Sequence, residues 1–359
     1  MRFTLLNPGP VSLSHGVRKA AVKADLCHRE PEYYSLQDRV RSGLLEVYGL
    51  DAGNWTSVLL GGSGTTALEA MMSSLLPQDA HVLTIENGVY GERMSRIAKI
   101  HGIRFSTIQH EWTDAIDFAR VEESLATGEF THMGVVHHET TTGRLNDVSG
   151  LAALCERYDV QMLLDAVSSF AAEDIPFDSP ALAACAATAN KCLHGIPGLC
   201  FVVCRKHALD DAVEPPRSLY MHLPLWADKQ DQQGTPFTPS VNGVLALEEA
   251  LKELARQGGW QARHAHYSQL AAKVKRYLAG KGVEPLLEAG ESSCVLNAYQ
   301  LPAGRTYDEI HDGLKQRGFV IYAGQGSLAA EMFRISTMGD ISHYDMERLM
   351  AALSAVFSA

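Results

Sequence analysis

Lys191 lies in the stretch Cys185-Ala-Ala-Thr-Ala-Asn-Lys191-Cys-Leu-His194-Gly195-Ile-Pro197-Gly198, among small residues and just before a Gly/Pro-rich turn. No acidic neighbour is at hand to pair with its ammonium, and crowded, partly apolar surroundings disfavour the charged form. An amine deprotonated in this way is a nucleophile able to form a Schiff base with a carbonyl. A loop lysine leaning into solvent would read the same, so partners elsewhere in the chain must decide.

Asp165 is the first such partner. It ends the apolar run Met162-Leu-Leu-Asp165, at the strand edge where ligands bind in open α/β sheets. A buried carboxylate there needs a cation, which the pyridinium nitrogen of pyridoxal phosphate supplies; capping of the following turn is the simpler alternative. Gly61-Gly62-Ser63-Gly64-Thr65-Thr66-Ala67 falls between a predicted strand and helix, where free backbone amides and the helix dipole favour an anion such as phosphate. Thr66 and Glu69 also satisfy a capping box, which would make the turn a helix start and nothing more.

The same glycines offer a rival. Gly62 to Ala67 matches a dinucleotide fingerprint, with Glu86 about 20 residues on, where a ribose ligand belongs. That fingerprint opens a first βαβ unit, however, and here two predicted helices and roughly 50 residues precede it. Tyr90, in Asn87-Gly-Val-Tyr90-Gly-Glu-Arg93, follows another strand end and can lie against a planar ring. Glu139-Thr140-Thr141-Thr142-Gly143 brings hydroxyls to the same edge. A nicotinamide site needs no lysine, whereas a pyridoxal phosphate site uses the cradle, the aromatic, the hydroxyls, the acid and Lys191 together. The joint pattern favours pyridoxal phosphate.

The elements that must position these residues follow a strand–helix alternation. Uniformly apolar strands are predicted near Val58–Leu60, His81–Ile85, Arg104–Ile108, Met133–His137, Met162–Asp165, Ala184–Thr188 and Leu199–Cys204, the mark of a mostly parallel sheet covered by helices. Helices are expected to begin near Thr66, Tyr90, Ala119 and Val148, with an earlier one over Ser35–Tyr48. The Pro- and Gln-rich segment from Glu214 to Pro239 shows no clean period and reads as a long excursion. Beyond helices over Ala246–Gln257 and Ala262–Leu278, the order changes to strand (Cys294–Tyr299), helix (Tyr307–Arg317), strands near 320–322 and 332–336, and a last helix from His343. The expected organisation is an N-terminal arm over 1–15, a large domain over 16–255 and a smaller α+β domain over 256–359.

Composition narrows the function. The 359 residues are 46% apolar and 20% charged, with a formal net charge of −11, which opposes a nucleic-acid backbone or an anionic membrane as the main partner. No apolar run is long enough to cross a bilayer, and the first residues lack the pattern of a signal peptide. Seven scattered cysteines without a CxxC pair fit reduced thiols of the cytoplasm. A zinc site built on His137-His138-Glu139 or on Cys200 and Cys204 lacks a second ligand pair, so no metal is expected.

The chain resembles the class V aminotransferases of the fold type I pyridoxal phosphate enzymes, from Leu5-Leu-Asn-Pro-Gly-Pro10 through Phe333-Arg334-Ile-Ser336. Within that family the likeness is greatest to the 2-aminoethylphosphonate:pyruvate transaminases, through the motifs at Asn87–Arg93, Glu139–Gly143, Asp165-Ala-Val-Ser-Ser-Phe170 and Ala189-Asn-Lys-Cys192. The resemblance implies that Ser63, Gly64 and Thr65 hold the cofactor phosphate with Asn190 beside it. It also implies that Tyr90 stacks on the ring, Thr140 touches the ring hydroxyl, Asp165 pairs with the ring nitrogen and Lys191 forms the Schiff base. Thr238, in Pro236-Phe-Thr-Pro-Ser240, resembles the threonine that reaches the phosphate from a neighbouring subunit, which implies a homodimer with shared sites. Arg334 resembles the arginine that grips the substrate's acidic group, carboxylate or phosphonate. Cys27-His-Arg-Glu-Pro-Glu-Tyr33 is closer to the alanine or serine:glyoxylate branch, and its Arg29 would add a second positive contact. A lyase or desulfurase on the same scaffold would need a mobile cysteine, for which Cys294 in its apolar run is poorly suited.

Overall fold

Strands that are apolar on both faces must be covered on both faces, and the sheet of this chain is arranged accordingly. The structure, a computed structural model, describes residues 3–357. Its seven-stranded sheet runs in the spatial order Trp55–Gly61, Leu199–Arg205, Leu182–Thr188, Gln161–Asp165, His132–Val136, His81–Glu86, Arg104–Gln109. Period-two alternation splits each strand between two cores. Leu59, Leu83, Ile85, Phe201 and Val203 face one, whereas Val58, Leu60, Val82, Val202 and Cys204 face the other.

Leu199–Arg205 is antiparallel to both of its neighbours, and the remaining pairs are parallel. The connection from Thr188 to Leu199 is too short for the crossover that a parallel pair needs, so the chain turns straight back. Lys191 sits in that reversal. Because Asp165 is in register with Ala186, the strand that leads to Lys191 runs beside the strand that ends at Asp165.

A third core joins Leu270, Val274 and Leu278 of the helix Gly259–Ala279 to Phe333, Ile335, Ile310 and Leu349. There an antiparallel sheet, Leu296–Gln300, Met332–Ser336 and Tyr322–Ala323, packs with the helices Tyr307–Lys315 and His343–Phe357. The N-terminal segment belongs to this part of the molecule: Thr4–Leu5 pairs in parallel with Phe319–Val320, and Leu6 is buried in the same core.

Two local expectations are corrected. Ser63, not Thr66, is the cap of the helix Gly64–Leu75, with no side-chain cap bond, and Glu69 turns to His101 at 2.8 Å. The capping box therefore does not form. The segment from Glu214 to Pro239 also contains a nine-residue helix, Leu223–Asp231, which buries Leu223, Trp226, Ala227 and Gln230. That i, i+3, i+4, i+7 spacing is helical, but it is short and half polar, and Pro224 at its start is tolerated because a first-turn N–H has no partner to lose.

Candidate active site

Lys191 is partly buried in the reversal after Leu182–Thr188. Its Nζ donates to the carbonyl oxygen of Pro8. The N-terminal segment lies so close over it that a Cβ at Gly9, whose φ is +118°, would stand 2.8 Å from Lys191 Cδ. Burial pulls the ammonium down to about 8, with Arg334 and Arg93 adding to the fall and Cys192 and Asp165 resisting it. The amine is thus available as a nucleophile near neutrality.

Asp165 ends its strand buried, with Oδ1 accepting from Val167 N at 2.9 Å. Burial raises its carboxyl to about 6, against the Val167 amide and the charges of Arg93 and Lys191. A carboxylate held in this way calls for a cationic partner. Val167 also abuts the glycine turn, since a Cβ at Gly64 would lie 2.7 Å from Val167 Cγ1. The cradle and the acid are therefore neighbours. Gly62, at φ +150°, has no room for a side chain either, because its Cβ would fall 2.2 Å from Thr66 Oγ1. Asn190 Oδ1 accepts from Thr188 Oγ1 at 2.8 Å, next to Lys191.

Tyr90 begins the helix Val89–Ile100, with the Arg93 guanidinium 4.6 Å from its ring centroid. Arg93 Nη1 donates to Thr65 Oγ1 at 3.1 Å, so the aromatic and the cradle share one cation. Thr140 follows Glu139 at the next strand end, and its buried Oγ1 has no partner. Arg334 is buried in Met332–Ser336. Its Nε donates to Ala323 O at 2.9 Å and its Nη1 to Thr140 O at 2.7 Å and to Gln325 Oε1 at 3.1 Å. Nη2 is buried without a partner.

These residues fit pyridoxal phosphate. A helix start with no side-chain cap suits the phosphate, the unpartnered Thr140 hydroxyl suits the ring oxygen, Asp165 suits the ring nitrogen, and the depressed Lys191 amine suits the aldehyde. The unspent Arg334 Nη2 leaves one buried donor free for a further acceptor.

Two expected contacts are not assembled within the chain. Thr238 is exposed, beside Phe237, whose ring packs 5.2 Å from Tyr220; the Tyr220 hydroxyl donates to Gly61 O at 3.2 Å. Arg29 is exposed ahead of the helix Pro31–Glu46. Residues that sequence reasoning passed over also converge here: Pro8 against Lys191, Gln325 against Arg334, Arg93 on Tyr90, and Glu139 bonded to the Tyr90 and Thr141 amides. Arg93 was legible, three positions after Tyr90 on one helix face. Cys294 is buried, and burial, Glu173 and Cys192 push its thiol well up, away from the thiolate that desulfurase chemistry uses.

The family profile for aminotransferase class-V matches residues 19–337. A 2-aminoethylphosphonate–pyruvate transaminase of Phocaeicola vulgatus is 32% identical over 359 residues, covering 99% of both chains. One of Klebsiella pneumoniae subsp. pneumoniae is 35% identical, covering 98% of this chain and 96% of its own. Among solved structures, an aspartate aminotransferase of subgroup IV from Thermus thermophilus superposes with a TM-score of 0.90 at 27% identity over 99% of each chain. With the lysine, the strand-end acid and the uncapped glycine turn at one sheet edge, this chain belongs to the class-V aminotransferases, transaminases built on the fold type I scaffold of pyridoxal phosphate enzymes.

Proposed function

We propose that this transaminase uses pyridoxal 5′-phosphate to move the amino group of 2-aminoethylphosphonate to pyruvate, giving phosphonoacetaldehyde and alanine. The observation that carries the reading is Arg334, a buried guanidinium with three hydrogen bonds made and Nη2 unspent in a site otherwise matched to the cofactor. Phosphonate and carboxylate both present paired oxygens, so one guanidinium serves donor and acceptor in turn. Relatives at 32% and 35% identity over nearly the whole chain carry the name of that reaction.

When bound, pyridoxal phosphate supplies an aldehyde that condenses with amines and a protonated ring that withdraws electrons. Ser63, Gly64 and Thr65 hold the phosphate at the helix start, with Asn190 beside it. Tyr90 covers the ring face, Thr140 Oγ1 meets the ring hydroxyl, and Asp165 keeps the ring nitrogen protonated. Lys191 Nζ would take a proton from the carbon that bears the substrate amine and give it up two bonds away, on the carbon across the amine nitrogen, a transfer that a group poised near 8 performs in both directions. Thr238, exposed on its own chain, reaches the phosphate of a second copy in a homodimer. No helix among the described residues is long and apolar enough to cross a membrane.

The test mixes purified holoenzyme with 2-aminoethylphosphonate and then pyruvate while the cofactor spectrum and alanine are followed. Bleaching by the donor, recovery with pyruvate and stoichiometric alanine are expected. Turnover with serine or alanine and glyoxylate alone would overturn the substrate assignment in favour of the branch that Cys27–Tyr33 resembles. Sulfide released from cysteine without a keto acid would overturn the reaction class.

A further inference from the structure

Glu139 is fully buried, and every group bonded to its carboxylate is a donor. Oε2 accepts from Tyr90 N at 3.1 Å and Gly91 N at 3.3 Å. Oε1 accepts from Thr141 N at 3.1 Å and from Thr141 Oγ1 at 2.6 Å. The Thr141 hydroxyl accepts in turn from Val89 N at 3.1 Å. One side chain therefore ties the start of the Tyr90 helix to the turn that carries Thr140, and Arg334 holds that turn from the other side through Thr140 O.

A helix is ordinarily capped by a short polar side chain just before its first turn. Here Gly88 occupies that place and the cap comes from a different strand end, 49 positions from Tyr90. Glycine is required for contact, not for backbone strain: a Cβ at Gly88 would fall 2.3 Å from Glu139 Cδ.

Three of the four bonds come from backbone amides, which can only donate, so an amide in place of the carboxylate would set donor against donor, whereas a proton on Oε1 would be taken by the Thr141 hydroxyl and would cost the tie the charge that strengthens its bonds. The fold nevertheless opposes the ionised form. Burial, and after it the charge of Asp165, raise the carboxyl to about 7 despite the Thr141 and Gly91 bonds. The charged groups that face it are Asp165 from the neighbouring strand and Arg334, which senses its charge from the small sheet. A group kept only for packing would be better neutral.

On the roles proposed above for Tyr90 and Thr140, we propose that Glu139 is the positioning residue of this site, its ionised carboxylate holding the ring-covering tyrosine and the hydroxyl turn in register for the cofactor. The experiment compares full-length wild type and Glu139→Gln, both freed of cofactor. Pyridoxamine phosphate, which makes no covalent bond to Lys191, is the probe, with tryptophan fluorescence as readout. At pH 8 the variant is expected to bind about 10-fold more weakly or worse, while its unliganded melting temperature falls by only about a few degrees, because loss of the buried charge offsets part of the cost of the donor clash. The affinity gap is expected to widen as pH rises through about 7, where wild-type Glu139 ionises.

Equal affinities, or a variant that melts well below wild type, would overturn the proposal. The second result would make Glu139 a structural buttress. Backbone hydrogen exchange in the segments spanning 88–92 and 140–142 is read without cofactor, and it is expected to be faster in Glu139→Gln; unchanged exchange also overturns the tie. A wild type that binds no pyridoxamine phosphate would instead overturn the cofactor reading, with the exchange result still standing on its own.

Discussion

Arg334 donates to the Thr140 carbonyl at 2.7 Å across 194 positions of sequence, so the residue assigned to the substrate's acid and the residue assigned to the cofactor's ring are held by one bond. A lysine at 334 carries its donors on a single atom and cannot reach Ala323 O, Thr140 O and Gln325 while also meeting an acid in bidentate fashion. Arg334→Lys is expected to lower kcat/KM by about 10- to 100-fold, the scale of one or two charged hydrogen bonds. Steady-state kinetics with 2-aminoethylphosphonate and pyruvate varied in turn check this. On the proposed reading, in which one guanidinium serves both acids, both KM values should rise; a rise confined to one substrate would mean a separate acid site.

Lys191 makes a pH prediction whose sign is fixed by the direction of its shift. Its ammonium is held down at about 8 by burial first, against about 10.4 for a free lysine. Uptake of pyridoxal phosphate by the cofactor-free protein needs the neutral amine, so its rate should rise with pH and level off above about 8. Between about 8 and 10.4 the unfolded chain holds more protons than the folded one, so this residue's contribution to stability also grows with pH there. Stopped-flow uptake across pH 6–10 checks the first statement, and a rate that climbs steadily to pH 10 would refute it. Lys191→Ala should abolish the Schiff-base absorption band.

Much of the candidate site was legible because its residues sit at ends of strands that announce themselves. Met162 to Leu164 is apolar up to Asp165 and Leu182 to Thr188 is uncharged up to the turn of Lys191, and in open α/β sheets the carboxyl edge is where chemistry collects. What joins those ends was not legible. Pro8 reaches Lys191 across 183 positions and Glu139 reaches Tyr90 across 49, and such contacts leave no periodic trace in a single sequence. Glu139 was read as a flank of the threonines when its carboxylate is the hub. The capping box at Thr66 and Glu69 had the right letters, yet Glu69 found a nearer partner in His101. Leu223–Asp231 was hidden by its own composition, since Gln230 is buried to bond Leu59 on both sides, N–H at 3.1 Å and C=O at 2.7 Å.

The closeness of the N-terminal segment to Lys191 gives a steric prediction. Gly9 has φ +118°, a region that L-residues rarely adopt, and its Cβ would meet Lys191 Cδ, Cε and Nζ at 2.8 to 3.0 Å. Gly9→Ala should therefore displace either the segment or the lysine. Slower reconstitution with pyridoxal phosphate and a shifted pH midpoint for that uptake are expected, measured beside wild type. Unaltered reconstitution would mean that the segment has slack over the site.

Glu173 links the turn after Asp165 to both the long helix and the small sheet. It accepts from Cys294 N at 2.9 Å and from Ser293 Oγ, and His264 Nδ1 stands 3.1 Å from Oε2. Burial alone would raise its carboxyl, but the His264 and Ser293 bonds outweigh it and hold the group down at about 2, while Glu173 raises the His264 imidazole. A depressed carboxyl stabilises the fold above about 4.5 and loses that contribution as pH falls toward 2; a raised histidine contributes below about 6.5 and loses it as pH climbs through the elevated value. The tie is thus strongest between those limits. Because His264 is partly open to solvent, the full linkage figure is discounted, and Glu173→Gln is expected to cost about 2 kcal/mol near pH 5.5. Urea unfolding of the cofactor-free protein at pH 5.5 and pH 9 measures it. The gap between wild type and variant should be narrower at pH 9, because the raised His264 loses its proton as pH climbs; a gap independent of pH would show that Ser293 and the Cys294 amide, not the histidine, carry the tie.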